Sequence, residues 1–301
     1  VDRGKTWTST EPKEWMRPDK DPIPLQQTVD FTVPDFAMRV TGTGYHGKWN
    51  ERGAWFFSND RGHNWTGPCE LTGLHQHPEL AGKSFSSRTD YIVEGPEQCL
   101  VFLSTQTPDL WGADRVFCAR TTDGGLSFNF VSWVVPPSDP YRAVMPATVR
   151  CSATRLVSAI RRRKMPEDKE NKSDVCWIDT FFSNDNAASW SFLSKAGETG
   201  NWNGNPPALI RLTDGRLCCA YGIREPRRRM VIRTSQDDGT SWSDEIVFRD
   251  DFKADRFGDP CLGYPRIIQR TDGRLMVFYR WATEENFEQH IAGTILDPDE
   301  L

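Results

Sequence analysis

The sequence predicts an all-β propeller occupying residues 1–301 as one domain, and three observations carry that expectation. A turn motif recurs at intervals the length of a four-stranded blade, apolar runs joined by Asp-Gly turns recur between its copies, and no segment holds a helical period.

The motif reads SNDRGHNW from Ser58 to Trp65, TTDGGLSF from Thr121 to Phe128, SNDNAASW from Ser183 to Trp190 and SQDDGTSW from Ser235 to Trp242, with a fifth copy, VDRGKTW, from Val1 to Trp7. Its aspartates, at positions 2, 60, 123, 185 and 237, are spaced by 58, 63, 62 and 52 residues. Asp accepts hydrogen bonds from the backbone of its own turn, Gly supplies a positive φ, and the closing aromatic tucks under the blade. Phe128 stands in for Trp in one copy and Ala187 for Gly in another.

Between the copies, PALIRLTDGRLCCAYGI and PRIIQRTDGRLMVFYRW each show an apolar run, an Asp-Gly turn and a second run, which makes the first two strands of a blade a hairpin. A third strand leads into the motif and a fourth leaves it, as in SWSDEIVFRD. From Asp237 through the C-terminus to Asp2 is again one blade length, so the first residues could supply the outer strand of the last blade and close a five-bladed ring. The alternative is a six-bladed propeller whose first blade lies upstream of Val1, and a start inside the motif favours it.

Composition narrows the partners. A net charge of −5 and a pI near 5.6 argue against general nucleic-acid binding, and no apolar run is long enough for a membrane helix. The eight cysteines are irregularly placed, form no CxxC pattern and read as small buried apolar residues, with Cys218 and Cys219 on opposite sheet faces. His75 and His77 read as a loop and not a metal site, and no cofactor fingerprint is present. Sequons at Asn64 and Asn171 leave the compartment open.

Hairpins and motif turns share one rim, so a concave site is expected on the other, where first strands begin and second strands end. The first-strand heads offer Asp35, Arg88 with Asp90, Arg142, Asn205, and Tyr264 with Arg266. The second-strand ends add Arg161, Arg162 and Arg163, Arg224, and Arg280. Arginines gathered on an acidic protein suit a carboxylate, sulfate or phosphate, although each could equally be solvated or paired within the protein.

On these motifs the chain resembles the sialidase superfamily of Asp-box proteins, in a divergent branch. The resemblance implies a six-bladed propeller and an exo-acting, retaining glycoside hydrolase that needs no cofactor: arginines hold the sugar carboxylate, a Tyr is the nucleophile, a Glu assists it and an Asp is the acid/base. Tyr264 matches the family register, at the head of a strand eight residues before the turn residue Asp272, and packing is the competing role for a Tyr followed by Pro. Asp35 and Asp90 are the acid/base candidates on position. Arg88, Arg142, Arg161, Arg224, Arg266, Arg280 and Asn205 are the substrate-binding candidates. The chain departs from the family where the assisting Glu would fall, at Asn205 or Pro206, and Glu225 and Glu198 are the substitutes on nearby loops. An acidic glycan or sialoside is therefore the expected ligand, with hydrolysis or elimination on another acidic glycan, or carbohydrate binding without turnover, as the alternatives.

Overall fold

The computed structural model describes residues 21–42, 53–106, 113–165, 174–201, 203–225, 227–254 and 261–301, and the side chains of 87–89 are left aside. The first motif copy and its proposed closing strand lie outside these residues. The fold is an all-β propeller, and its strands form five antiparallel sheets in chain order. Blade one holds β1 (Ala37–Thr41), β2 (Ala54–Ser58) and β3 (Thr66–Glu70). Blade two holds β4 (Ser84–Gly95), β5 (Gln98–Gln106), β6 (Val116–Thr121) and β7 (Asn129–Trp133). Blade three holds β8 (Arg142–Arg150), β9 (Leu156–Lys164), β10 (Val175–Ser183) and β11 (Ser191–Gly200). Blade four holds β12 (Ala208–Arg211), β13 (Leu217–Ile223), β14 (Arg229–Ser235) and β15 (Ile246–Arg249). Blade five holds β16 (Gly263–Gln269), β17 (Leu275–Trp281) and β18 (His290–Leu296).

Five blades, not the six implied by resemblance, are therefore present among the described residues. The physical reason lies in blade one. In blades two to four the motif turn follows the third strand, whereas in blade one it follows β2, so β1 corresponds to a second strand and the blade begins one strand late.

Alternate faces of each sheet are apolar because side chains alternate along a strand, and neighbouring blades press those faces together into dry layers. Trp55 and Phe85 sit in the layer between blades one and two, Phe102 and Ile160 between two and three, Tyr221 and Val157 between three and four, and Trp281 and Met230 between four and five. Each such large side chain contributes roughly 2–3 kcal/mol by leaving water. Cys218 and Cys219 do face opposite layers, toward blades five and three. Among the described residues no such layer closes blade five on blade one. The outward face of blade five instead exposes Ile268, Ile291 and Ile295 at 50%, 82% and 42%.

The four described motif turns repeat one hydrogen-bond pattern. A Ser or Thr hydroxyl donates to the Asp two residues on (2.7–2.8 Å) and accepts the N–H four residues on (2.8–2.9 Å), while the Asp accepts a further N–H (2.9–3.0 Å). Two successive residues take positive φ in each turn, as in Gly124 (65°) and Gly125 (87°). A Cβ on Gly125 would lie 2.6 Å from the Trp55 ring, so that copy requires glycine. Ala187 adopts φ 73° at the same place, which an alanine tolerates only at a cost of about 1–2 kcal/mol.

Candidate functional site

The rim opposite the motif turns is built by interruptions in the first strands. The ladder slips between Ser86 and Asp90 in β4, between Val144 and Ala147 in β8, and between Gly263 and Arg266 in β16. Two slips contain a residue followed by proline, Met145-Pro146 and Tyr264-Pro265, and both Met145 (φ 57°) and Tyr264 (φ 55°) are left-handed. Proline bars the preceding residue from the right-handed helical region, and such a conformation in a bulky residue persists only when its surroundings hold it.

Side chains of the preceding blade do the holding. The Met145 N–H donates to Ser104 Oγ (3.3 Å), and the Thr148 N–H donates to Asp90 Oδ2 (2.6 Å). The Tyr264 N–H donates to Asn205 Oδ1 (2.8 Å), and Asn205 Nδ2 donates to the Leu262 carbonyl (2.8 Å). Asn205 is fully buried, and its amide binds two backbone groups at the head of β16.

Arg224 follows β13 directly, beside this junction. It is fully buried, its guanidinium carbon lies 5.5 Å from the centre of the Tyr264 ring, and Nη2 is 3.4 Å from the Leu262 carbonyl. Arg161, 1% exposed, donates through Nη2 to the carbonyl and to Oδ1 (2.9 Å) of Asn203, and through Nη1 to Met145 Sδ (3.3 Å). Arg161, Arg163 and Arg224 converge closely enough that all three charges act on the Cys176 thiol, which burial nonetheless pushes up to about 11.

The structure thus brings Tyr264, Asn205, Arg224 and Arg161 together where blades three, four and five meet. Asp90 and Arg266 form a second group: they hold the same register position in blades two and five, and the charge of Arg266 reaches the Asp90 carboxyl. Burial pushes that carboxyl up to about 6, against the pull of the Thr148 and Tyr91 N–H groups and of Arg266. Arg266 is exposed and makes no hydrogen bond or ion pair among the described residues.

Other candidates are engaged elsewhere. Asp35 is on the opposite rim, where its backbone accepts the Arg61 N–H (3.0 Å) and its carboxylate pairs with Arg61 Nε (2.7 Å) in the first described motif turn. The turn that contains it leads into a second strand and not a first, which removes it from the rim that holds Tyr264. Arg142 is buried against Asp114 (2.5 Å), and Arg280, which pairs with Gly263 across the ladder, donates to Gln289. Arg162 pairs with Asp139 (2.6 Å) and Asp179 (3.2 Å), and Arg163 with Asp174 (2.7 Å). Of the substitute carboxylates, Glu225 pairs with Arg228 (2.7 Å) and Glu198 with Lys195 (2.7 Å). The Arg88 side chain lies outside the described residues. His75 and His77 stack on Phe85 and Phe130, 4.4 and 4.6 Å between ring centres.

Asn203 is the site residue that sequence reasoning missed. Its Asn-Gly step, with φ of 52° and 50°, folds back so that one side chain serves Arg161 and Arg163 while its N–H donates to Asp174 (2.9 Å). The Asn-Gly pair, a strong turn signal, was the available clue.

Among solved structures, a protein of unknown function from Dyadobacter fermentans DSM 18053 is similar at 19% identity with a TM-score of 0.72, over 99% of this chain and 82% of that one. The Hadza microbial sialidase Hz136 is similar at 14% identity (TM-score 0.58; 91% of this chain, 55% of that). The Penicillium chrysogenum alpha-L-arabinanase complexed with arabinobiose is similar at 19% identity (TM-score 0.52; 70% of this chain, 62% of that). The chain therefore spans less than two thirds of the sialidase and of the arabinanase, and at these identities the likeness is one of fold. No curated protein matches the sequence. The family model for the BNR repeat-like domain matches residues 36–277, in agreement with the repeated turns and the sheet order, and the chain belongs to that family.

Proposed function

We propose that this protein is a propeller glycoside hydrolase that releases a terminal acidic sugar by a retaining mechanism, with Tyr264 as nucleophile and Asp90 as acid/base. The observation that carries the reading is the left-handed backbone of Tyr264, held from the neighbouring blade beside the buried Arg224. A strained residue at the mouth of a propeller is a sound starting point for a functional hypothesis. The sialidase among the similar folds agrees with it.

In this reading Arg266, exposed on the strand that carries Tyr264, meets the sugar carboxylate. A phenol suits that substrate because a carboxylate nucleophile would be repelled by the substrate's own carboxylate. The Tyr264 oxygen bonds to the anomeric carbon as the glycosidic C–O bond breaks, and the phenol proton passes to a carboxylate, for which Glu225, beside Arg224 in the chain, is the proposed acceptor. Asp90 gives its proton to the departing oxygen, a task suited to a carboxyl raised to about 6. Asp90 then takes a proton from water as the water oxygen bonds to the anomeric carbon and the Tyr264–sugar bond breaks, and Glu225 returns its proton to the Tyr264 oxygen, which restores the enzyme. Arg161 and Arg224, having almost no exposed surface, act on the site through their charge.

The test is release of 4-methylumbelliferone from its sialic acid glycoside, with Tyr264→Phe as comparison. Turnover by the wild type and a loss of at least about a hundredfold in the variant are expected. Equal turnover by the two proteins would overturn the assignment of Tyr264.

A second reading, a hydrolase or lyase of another glycan, is favoured by one observation. Arg142, Arg162 and Arg163 are spent on protein carboxylates, which leaves less positive charge for an anionic ligand than the arginine count suggests. Turnover of a different glycoside, with none of the sialoside, would select it.

A further inference from the structure

We infer that Asn205 is a positioning residue for Tyr264: its side chain reaches from the head of blade four to blade five and fixes the backbone on which the Tyr264 ring is carried. This rests on the reading of Tyr264 given above, although the contact itself does not. The Asn205 amide is used at both ends, Oδ1 taking the Tyr264 N–H at 2.8 Å and Nδ2 giving to the Leu262 carbonyl at 2.8 Å. These two groups flank Gly263, and the amide therefore spans the ladder slip that turns Tyr264 into its left-handed conformation.

The surroundings are cut to fit that amide. Gly263 has φ +93°, and a Cβ there would lie 2.1 Å from Asn205 Oδ1. A Cβ on Gly222, in the neighbouring strand β13, would lie 3.0 Å from Asn205 Nδ2 and 2.7 Å from Leu262. Two glycines thus make room for one buried side chain. Aspartate could still accept from Tyr264 while losing the donor to the Leu262 carbonyl, whereas alanine would leave both buried backbone groups without their present partner, and an unmet buried polar group costs about 1–3 kcal/mol. Because Leu262 also faces Arg224 Nη2, the clamp fixes the ring relative to the guanidinium.

The chain has six tyrosines, so 3-fluorotyrosine labelling with 19F NMR can follow Tyr264, its resonance identified by loss in Tyr264→Phe. In Asn205→Ala the Tyr264 resonance should shift or broaden. Asn205→Asp should keep the resonance close to the wild-type position. Ser194→Ala, which removes a 2.6 Å bond to Gly239 on the motif-turn rim, controls for general loss of stability and should leave the resonance in place. On a glycoside that the wild type cleaves, Asn205→Ala should lower kcat at least about tenfold with KM within about twofold, as expected when geometry and not binding is lost. A wild-type Tyr264 resonance in Asn205→Ala would overturn the inference, as would an unchanged kcat. If Asn205→Ala does not fold, displacement of the resonance in Asn205→Asp as large as that of denatured protein overturns it. If no glycoside is cleaved, the catalytic reading fails while the NMR comparison still decides whether Asn205 holds Tyr264.

Discussion

The two rims of this propeller solve the same problem, satisfying backbone groups where strands end, in opposite ways. On the motif-turn rim the bonds that shape each turn stay within eight residues, an aspartate serving its own loop, and bonds to other segments, such as Ser194 to Gly239, are added from outside. On the rim that carries Tyr264 the bonds cross from blade to blade: Ser104 to Met145, Asp90 to Thr148, Asn205 to Tyr264. Titration follows this division. Hydrogen bonds in their own turns hold Asp60 and Asp185 down to about 2, whereas burial pushes Asp90 up to about 6. One rim is built on turns that close on themselves, and the other on bonds between blades.

Glycine replacements test that difference most severely. Gly263→Ala should cost about 3–4 kcal/mol by urea unfolding and abolish turnover, since its Cβ collides with Asn205 at φ +93°. Gly125→Ala, with a collision against Trp55, should cost about 2–3 kcal/mol and leave kcat intact. Loss of kcat in both would erase the distinction between the rims.

Asp90 gives the next largest effect. Its folded value of about 6 exceeds the unfolded value of about 3.9, so the folded state binds the proton more tightly. The associated stability is present below pH 4 and is lost as the pH rises through 6, by on the order of 3 kcal/mol. The wild type should therefore lose stability relative to Asp90→Asn between pH 4 and 7. Parallel melting curves across that range would contradict the burial of this carboxyl.

The motif aspartates respond with the opposite sign. Asp60 and Asp185, held to about 2, contribute stability that is present above pH 4 and is lost as the pH falls through 2. A protein carrying Asp60→Asn and Asp185→Asn should melt lower than wild type at pH 5, with the gap narrowing toward pH 2. The smallest effect belongs to Ala187→Gly, expected to raise stability by about 0.5 kcal/mol, because relief of a left-handed alanine is largely offset by chain entropy.

This contrast also explains what the sequence revealed. The four described turns were legible because the bonds that shape each of them lie within one short window, and the strand order around them followed. Asp35 was misplaced because an apolar run after a polar turn looks alike in a first and a second strand. Spacing held the correction: 25 residues separate Asp35 from Asp60, against 33 between Asp90 and Asp123 and 32 between Asn205 and Asp237, which leaves blade one short of a strand. The arginines at 161 to 163 were visible, but Asp139, Asp174, Asp179 and Asn203, which engage them, come from other strands and a loop. Asn205 was singled out for a polar side chain at a strand head, and only packing reveals that this side chain faces inward.

Blade five carries exposed apolar surface that bears on self-association. Ile268 of β16 and Ile291 and Ile295 of β18 share one exposed face, β18 is an edge strand among the described residues, and edge strands that carry exposed apolar surface are templates for self-association. Arg266 and Arg280 lie at the end of that face nearest Tyr264, and like charges there would oppose its pairing with a second copy. Salt weakens such repulsion and leaves the apolar attraction in place, so light scattering from concentrated protein should rise with ionic strength.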